Sequence, residues 1–246
     1  MKINEDDYLG KQAPDIVIVD DHGKSRKLSD YGNKPIIFSI IYYNCGESCP
    51  VLNEGLSEGL SGVSLNLGTD YNVITLSFDG KETTADAAGF RKRLEVKMKD
   101  QLPAHFDKWV FATTTDEDAK KLTGAIGYRY FYSRQDKVFV HPNVYIFLSP
   151  GLKVSRYIWG LYPISMDLKL AITEAAKGKI GKFPILSTVA LACYKYDASI
   201  GGYRLNLTVV FGLMGMSFGL ITGLIVFLYA MKLKKKRRAD FQLSKN

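Results

Sequence analysis

Continuous apolar runs of strand length are the clearest pattern in this chain. Residues 36–43 (IIFSIIYY) are almost entirely apolar, and residues 72–78 (NVITLSF) carry four apolar side chains in seven positions without a charge, which is typical of strands buried on both faces of a sheet. Shorter runs at 16–19 and 109–112 predict two further strands. The central strands of the predicted sheet are therefore buried.

Segments of helical spacing separate these strands. The spacing predicts four helices: one that begins at Pro50, and the segments 83–99, 116–126 and 166–177. Residues 144–148 and 153–159 predict a hairpin across the turn Ser149-Pro150-Gly151. The order of elements predicts an α/β sheet with parallel strands and an antiparallel edge, compatible with a thioredoxin-like fold.

The charge of the chain is concentrated near one end. The net charge is +8, and residues 232–238 (KLKKKRR) hold six basic side chains. The remainder is nearly balanced, so the charge gives no evidence for nucleic-acid binding. Hydrophobic residues make up 46% of the chain, which is enough for a packed core and excludes general disorder.

An uncharged apolar segment precedes the basic run. Residues 205–231 contain no charged side chain and exceed the roughly 20 residues that a helix needs to cross a bilayer core. We therefore predict one transmembrane helix there. The chain then divides into a domain at 1–182, a juxtamembrane linker at 183–204, the membrane span, and a basic tail at 232–246.

The basic tail predicts the orientation of this span. Basic residues beside a membrane helix stay in the cytoplasm, so the domain should face the periplasm of a bacterial inner membrane. Residues 1–10 contain no apolar core of a signal peptide. We expect a leader to have been removed, because the alternative, a tail anchor with the domain inside, would send the basic run across the membrane.

Three glycines predict a partner for the membrane helix. Gly215, Gly219 and Gly223 recur at every fourth position and so share one helix face. Small residues at this spacing let a second transmembrane helix approach closely.

Cys45 and Cys49 lie at a predicted strand-to-helix junction, whereas Cys193 lies far away in the linker. Such a set is not a disulfide scaffold. A helix N-terminus favours negative charge, so it should lower the pKa of thiols placed there. Thiolates bind soft metals and attack disulfides, so the pair indicates metal binding or redox chemistry. We expect Cys193 to pack near the membrane surface.

His141 is the histidine that topology carries towards the cysteines. It precedes Pro142 and the predicted strand 144–148, and in thioredoxin-like folds a proline at this place packs beside the cysteine loop, often after a cis peptide bond. Thiolate and imidazole together suit copper, whereas two thiolates alone make a poor zinc site. His22 and His105 lie in polar segments and are predicted to be solvated bystanders.

Three segments of the chain resemble the Sco/SenC family. YYNCGESCPVLNEGL is similar to its cysteine loop, NVITLSFDGKETT to its strand with a following aspartate, and VFVHPNVYIFLSPGLKVSRYIWG to its histidine segment and hairpin. CYKYDASIGGY before a terminal apolar segment resembles a bacterial branch with a carboxyl-terminal anchor. The resemblance covers most of the chain.

This resemblance implies a thioredoxin-like copper protein that helps to assemble the copper centre of a heme-copper oxidase. It implies Cys45, Cys49 and His141 as ligands of Cu(I) or Cu(II), and an oxidase or its copper-bearing subunit as the partner. Asp79 matches a recurring acidic position near the ligands or a partner. One departure is Gly46, which stands where the family usually has proline.

Three functions are compatible with these residues. The first is a copper metallochaperone, which is not an enzyme. The second is a membrane-anchored thiol–disulfide reductase, in which Cys45 and Cys49 form the redox dithiol. The third is an accessory structural subunit of a respiratory complex with a vestigial site. A peroxidase is disfavoured, because the cysteines are paired rather than single.

Overall fold

The computed structural model describes residues 3–46, 48–181, 194–197 and 202–205, together with scattered positions between 211 and 231. Contacts divide the chain into two units, Met1–Lys182 and Phe183–Asn246.

Within its described residues, the first unit contains nine strands and four α-helices. The strands are β1 (Val17–Asp20), β2 (Ser25–Lys27), β3 (Ile36–Ile41), β4 (Asn72–Ser77), β5 (Val110–Thr113), β6 (Phe131–Ser133), β7 (Val138–Val140), β8 (Val144–Leu148) and β9 (Val154–Trp159). The helices are α1 (Ser48–Ser61), α2 (Thr84–Lys97), α3 (Asp116–Ala125) and α4 (Ser165–Ala176).

Seven of these strands form one sheet in the order β2-β1-β5-β4-β3-β8-β9. Strands β3, β4 and β5 are parallel, while β8 and β9 are antiparallel on one side and β1 and β2 on the other. Every residue of β3, β4 and β8 is buried, as expected for apolar strands at the centre of a covered sheet. The predicted α/β sheet with an antiparallel edge is confirmed.

The topology brings distant segments to one edge of the sheet. The carboxyl ends of β3 and β4 meet there because the two strands are parallel. Strand β8 runs antiparallel to β3, so it begins at this same edge, with Ser39 opposite Tyr145. The loops after β3 and β4 and the segment before β8 therefore face one another.

Helix α1 follows β3 directly and packs closely on the chain after β9. A Cβ atom at Gly55 would lie 2.0 Å from the carbonyl oxygen of Leu161, so only glycine allows this approach. Pro50 lies in the first turn, where a missing N–H group costs no helical hydrogen bond. The start of α1 is thus compatible with its local sequence, and its close packing depends on glycine at a contact between distant segments.

Strand β2 and a small hairpin formed by β6 and β7 were not predicted from the sequence. Each of these strands has only three residues, too few for a recognisable strand pattern, and their side chains are exposed or half-buried. Strand pairing with a neighbour, rather than local pattern, defines them.

The second unit is described only in part. Tyr194–Asp197 pairs antiparallel with Gly202–Leu205, inside the segment predicted as a linker. Within the described residues, no helix has both the length and the apolar character needed to cross a bilayer. Most of the predicted span at 205–231, the tail at 232–246 and Cys193 lie outside the described residues, so these assignments stay predictions.

Gly215, Gly219 and Gly223 lie at helical positions and are exposed. Their proposed contact with a partner helix stays a prediction.

Candidate metal and thiol site

The three predicted site residues lie at the sheet edge described above. Cys45 is half-buried in the loop after β3, which we call the cysteine loop (residues 42–46). Cys49 is fully buried in the first turn of α1. His141 immediately precedes Pro142 and β8. The histidine thus comes from a different part of the chain than the cysteines.

Cys49 and His141 are in direct contact. The Cys49 Sγ atom lies 3.2 Å from the His141 Nε2 atom. The Cys45 side chain in turn hydrogen-bonds to the Cys49 thiol and to the Tyr42 hydroxyl. No disulfide joins the two cysteines in the described part of the chain.

The three residues are brought together as two pairs rather than as one cluster. Among the described residues, no three His, Cys, Asp or Glu side chains are grouped closely enough to hold one metal ion. The donor set of two sulfur atoms and one imidazole nitrogen nevertheless has the softness that copper prefers.

Tyr128 determines which nitrogen of His141 carries the proton. The Tyr128 hydroxyl lies 2.7 Å from the Ile40 carbonyl oxygen and 3.0 Å from His141 Nδ1. Its single proton goes to the carbonyl oxygen, which can only accept. His141 Nδ1–H then donates to the hydroxyl oxygen, and the Pro142 carbonyl oxygen lies 3.3 Å from the same nitrogen.

The unprotonated Nε2 atom of His141 therefore presents its lone pair to Cys49. A metal-binding histidine requires this arrangement, in which the second ring nitrogen is held by a hydrogen bond. Tyr128 could not be predicted as part of the site, because it lies thirteen positions before His141 in an irregular segment and no local pattern connects the two residues.

Aromatic rings enclose the imidazole of His141. Tyr42 lies edge-on with its ring centroid 6.1 Å away, and Phe78 lies at 5.7 Å. Phe139 packs against both of these rings at 5.2 and 5.3 Å. We call Tyr42, Phe78, Tyr128 and Phe139 the aromatic bed. It limits water on one side of the imidazole and restricts its orientation.

Burial raises the pKa of the Cys49 thiol well above its ordinary value, and the hydrogen bond with Cys45 raises it further. A backbone hydrogen bond from Tyr42 lowers this pKa by a smaller amount. The predicted lowering of the thiol pKa by the helix N-terminus is thus wrong for Cys49. The cost of placing a charge in a fully buried position exceeds the effect of the helix dipole.

A buried asparagine stabilises the first turn that carries Cys49. Asn53 Nδ2 donates to the Cys49 carbonyl oxygen at 3.0 Å, and Asn53 Oδ1 accepts from Thr75 Oγ1 at 2.8 Å. Trp109 Nε1 donates to the same threonine oxygen at 2.9 Å. This network connects the helix turn to two strands of the sheet.

The remaining predicted residues lie outside this arrangement. Asp79 accepts a hydrogen bond from the Lys81 backbone N–H within its own turn. Among the described residues, the acid that accepts from the backbone of the cysteine loop is Glu82. His22 and His105 are exposed, as predicted. Gly46 is exposed, and a Cβ atom built there would meet nothing within 4 Å.

Several solved structures resemble this chain. A candidate electron transfer protein from Aquifex aeolicus is 33% identical, with a TM-score of 0.60, over 70% of this chain and 95% of that protein. Arabidopsis thaliana ScoI with copper bound is 17% identical, with a TM-score of 0.54, over 68% of this chain and 98% of that protein. No family model and no curated protein matches the chain.

A third relative is BsSco, a member of the Sco family of cytochrome c oxidase assembly proteins in which a disulfide switch was identified. It is 18% identical, with a TM-score of 0.53, over 69% of this chain and 96% of that protein. The α/β fold that the motifs led us to expect is thus confirmed: the domain shares the thioredoxin-like fold of these Sco structures. By its identity to the Aquifex protein, the chain belongs to the family of that protein.

Proposed function

We propose that this protein is a copper metallochaperone, which binds copper through Cys45, Cys49 and His141 and delivers it to the copper centre of a heme-copper oxidase. The observation that carries the proposal is the contact of 3.2 Å between Cys49 Sγ and Nε2 of His141, the ring nitrogen that does not face Tyr128. A histidine that served only packing would not need a free lone pair directed at a thiol.

The copper ion is the cargo in this proposal. Cys45 lies in the more exposed part of the site, so it is the ligand that an incoming copper ion meets first. The side chains have to shift to place all three donors on one ion, because the structure groups them in pairs. Copper binding also has to displace the proton of Cys49, since only the thiolate is a ligand.

Two comparisons support this proposal. The related structures include Sco proteins with copper bound, and BsSco belongs to a family of cytochrome c oxidase assembly proteins. In our proposal the domain acts on the periplasmic side of a bacterial inner membrane, where the copper-bearing subunit of an oxidase would meet it. The basic run at 232–238 is the observation behind this orientation.

The test is the substitution His141→Ala in the full-length protein, measured against a chromogenic Cu(I) chelator under reducing conditions. We expect Cu(I) affinity to fall by at least about 100-fold, the upper end for loss of a residue that only supports a ligand. The rate of thiol–disulfide exchange at Cys45 and Cys49 should change little. The matched control is His22→Ala, an exposed histidine that should leave both quantities unchanged. An unchanged copper affinity in His141→Ala would show that the ligand assignment is wrong.

A second candidate is a thiol–disulfide reductase that keeps the cysteines of a partner reduced. The hydrogen bond between the Cys45 and Cys49 side chains favours it, because a dithiol at this separation can close to a disulfide. This reading needs no histidine ligand. A His141→Ala protein that supports oxidase assembly as well as the unaltered protein would favour the reductase over the chaperone.

A further inference from the structure

The main chain of the cysteine loop is held by a carboxylate from the neighbouring loop. The backbone N–H of Tyr43 donates to Glu82 Oε2 at 2.6 Å, and the backbone N–H of Asn44 donates to Glu82 Oε1 at 2.7 Å. The Asn44 side chain donates to Oε1 at 2.9 Å, and the Ser77 hydroxyl donates to Oε2 at 2.6 Å. Two of these four donors are the amides that immediately precede Cys45.

These four donors fill the hydrogen-bonding capacity of the carboxylate. An ionised carboxylate accepts at about four positions and donates at none. Glu82 is only 8% exposed, and a buried carboxylate is tolerated when its oxygens are fully hydrogen-bonded in this way. The arrangement therefore specifies a carboxylate at this place rather than any polar side chain.

Glu82 connects two loops at the edge of the sheet. It lies between β4 and α2, one position before Thr83, the residue that caps the N-terminus of α2. A turn bond from the Glu82 N–H to the Asp79 carbonyl oxygen, 3.0 Å long, orders the loop that carries it. Among the described residues, the cysteine loop has one backbone hydrogen bond of its own, from the Cys45 N–H to the Tyr42 carbonyl oxygen, at 3.4 Å. The shorter contacts come from Glu82.

We propose that Glu82 is a positioning residue for this site, which holds the cysteine loop in the conformation that presents Cys45 and Cys49 to copper. Glu82 acts through the main chain of Tyr43 and Asn44 and contacts neither copper nor a thiol as a ligand. The proposal rests on the proposed copper function for its role in affinity. It also requires that Glu82 influences the balance between dithiol and disulfide, because both forms depend on the placement of Cys45.

The substitution Glu82→Gln tests this with almost no change in shape. A glutamine has one oxygen and one NH₂ group in place of two oxygens. Whichever way the amide is turned, its NH₂ group faces a backbone N–H, of Tyr43 or of Asn44. Two donors then oppose each other, and one half of the loop loses its acceptor.

The experiment compares Glu82→Gln with Glu174→Gln in the full-length protein. Glu174 is also a largely buried carboxylate, but it pairs with Arg156 between α4 and β9 and has no contact with the cysteine loop among its described interactions. Three quantities are measured: Cu(I) affinity by chelator competition, the equilibrium constant of the Cys45–Cys49 pair with glutathione, and hydrogen exchange at the Tyr43 and Asn44 amides.

We expect Glu82→Gln to lower Cu(I) affinity by about 10- to 100-fold, the usual effect of removing a group that supports a ligand. The glutathione equilibrium constant should change by more than about threefold, and both amides should exchange faster. Glu174→Gln should leave all three unchanged even where it lowers stability. If Glu82→Gln does not fold, Asn44→Ala removes one donor to Glu82, together with a longer contact of 3.5 Å to Asp86 Oδ1, and should cause the same changes to a smaller extent.

Two results would overturn the role of Glu82. One is a folded Glu82→Gln protein whose copper affinity and glutathione equilibrium lie within twofold of the unaltered protein. The other is an equal loss in Glu174→Gln, which would mean that global stability is responsible. If the unaltered protein fails to bind Cu(I), the proposed function fails, and the glutathione equilibrium and amide exchange still decide the role of Glu82.

Discussion

Two parts of the site are held by different kinds of contact: the cysteine loop, which we call the cysteine half, and His141 with the residues around it, which we call the histidine half. The cysteine loop is fixed through its main chain, by the bonds from Tyr43 and Asn44 to Glu82. The imidazole of His141 is fixed through its side chain, by the Tyr128 hydroxyl and by the rings of the aromatic bed. One half depends on a buried charge, and the other depends on packing.

The magnitudes indicate which half is the more firmly held. A hydrogen bond to a charged group contributes about 1.5–3 kcal/mol, and a neutral one about 0.5–1.5 kcal/mol. An aromatic pair adds about 0.5–1.5 kcal/mol beyond the area it buries. The cysteine loop donates three bonds of the stronger class to Glu82, whereas His141 donates one neutral bond to the Tyr128 hydroxyl and has a set of ring contacts. Changes in packing should therefore affect the histidine half first.

The largest expected effect comes from removing Phe78, the ring of the aromatic bed that also stacks on Tyr130 at 4.1 Å. Phe78→Ala should lower the free energy of unfolding by about 3–5 kcal/mol, because the side chain is fully buried. Cu(I) affinity should fall as well, since His141 loses the ring that restricts it. Denaturant unfolding and chelator competition measure the two quantities.

The matched control for this substitution is Phe111→Ala. Phe111 is equally buried but packs against Phe90, Phe106 and Trp109, away from His141. It should lose comparable stability and keep its copper affinity in the fraction that remains folded. Equal copper affinity in both variants would contradict the view that packing orients the histidine.

A smaller effect is expected from Tyr128→Phe, which keeps the ring and removes the hydroxyl. The Ile40 carbonyl oxygen and His141 Nδ1–H both lose a partner, so the free energy of unfolding should fall by about 1–3 kcal/mol. Cu(I) affinity should fall by about 10- to 100-fold, because the tautomer is no longer fixed.

The control for this loss is Tyr157→Phe. The Tyr157 hydroxyl donates to the Ile126 carbonyl oxygen at 2.8 Å and has no bond to His141. It should lose stability alone. If the two tyrosine variants bind Cu(I) equally well, then Tyr128 does not determine the state of His141.

The same contrast explains what the sequence could predict about this protein. Buried strands such as 36–43 and 72–78 are visible as apolar runs, and a strand-to-helix junction is visible at Cys45 and Cys49, because these features are local. The approach of His141 could be predicted only from topology, through its place before β8. The order of the elements predicts an α/β sheet that is compatible with a thioredoxin-like fold.

The contacts that hold the site could not be predicted in this way. Glu82 and Tyr128 act across 39 and 13 positions of sequence, and no periodic pattern marks either residue. The predicted direction of the pKa shift was wrong for Cys49. The helix dipole can be inferred from the position of the thiol in the first turn, whereas its burial depends on residues that pack there from elsewhere in the chain. Strands β6 and β7 were not predicted, because three residues are too few for a recognisable strand pattern.

The smallest expected effect is that of Gly46→Ala, which tests how much of the cysteine loop is ordered by its hydrogen bonds to Glu82. Gly46 is the departure from the family pattern, yet its φ angle is not in the left-handed region and a Cβ atom would meet nothing within 4 Å. Gly46→Ala should therefore raise the free energy of unfolding by about 0.4–1 kcal/mol, through a less flexible unfolded chain. Gly151→Ala has equal space but a φ of +80°, so it should destabilise the protein instead. Urea unfolding measures the change in the free energy of unfolding for both variants, provided that the dependence on urea concentration keeps the same slope.

The copper affinity of Gly46→Ala is the second quantity to measure. Because Glu82 already orders Tyr43 and Asn44, this substitution should leave the Cu(I) affinity within about fivefold of that of the unaltered protein, the factor that corresponds to about 1 kcal/mol. A larger gain in affinity would mean that the cysteine loop is less ordered beyond Asn44, and that Glu82 positions Cys45 less completely than its three hydrogen bonds with the loop imply.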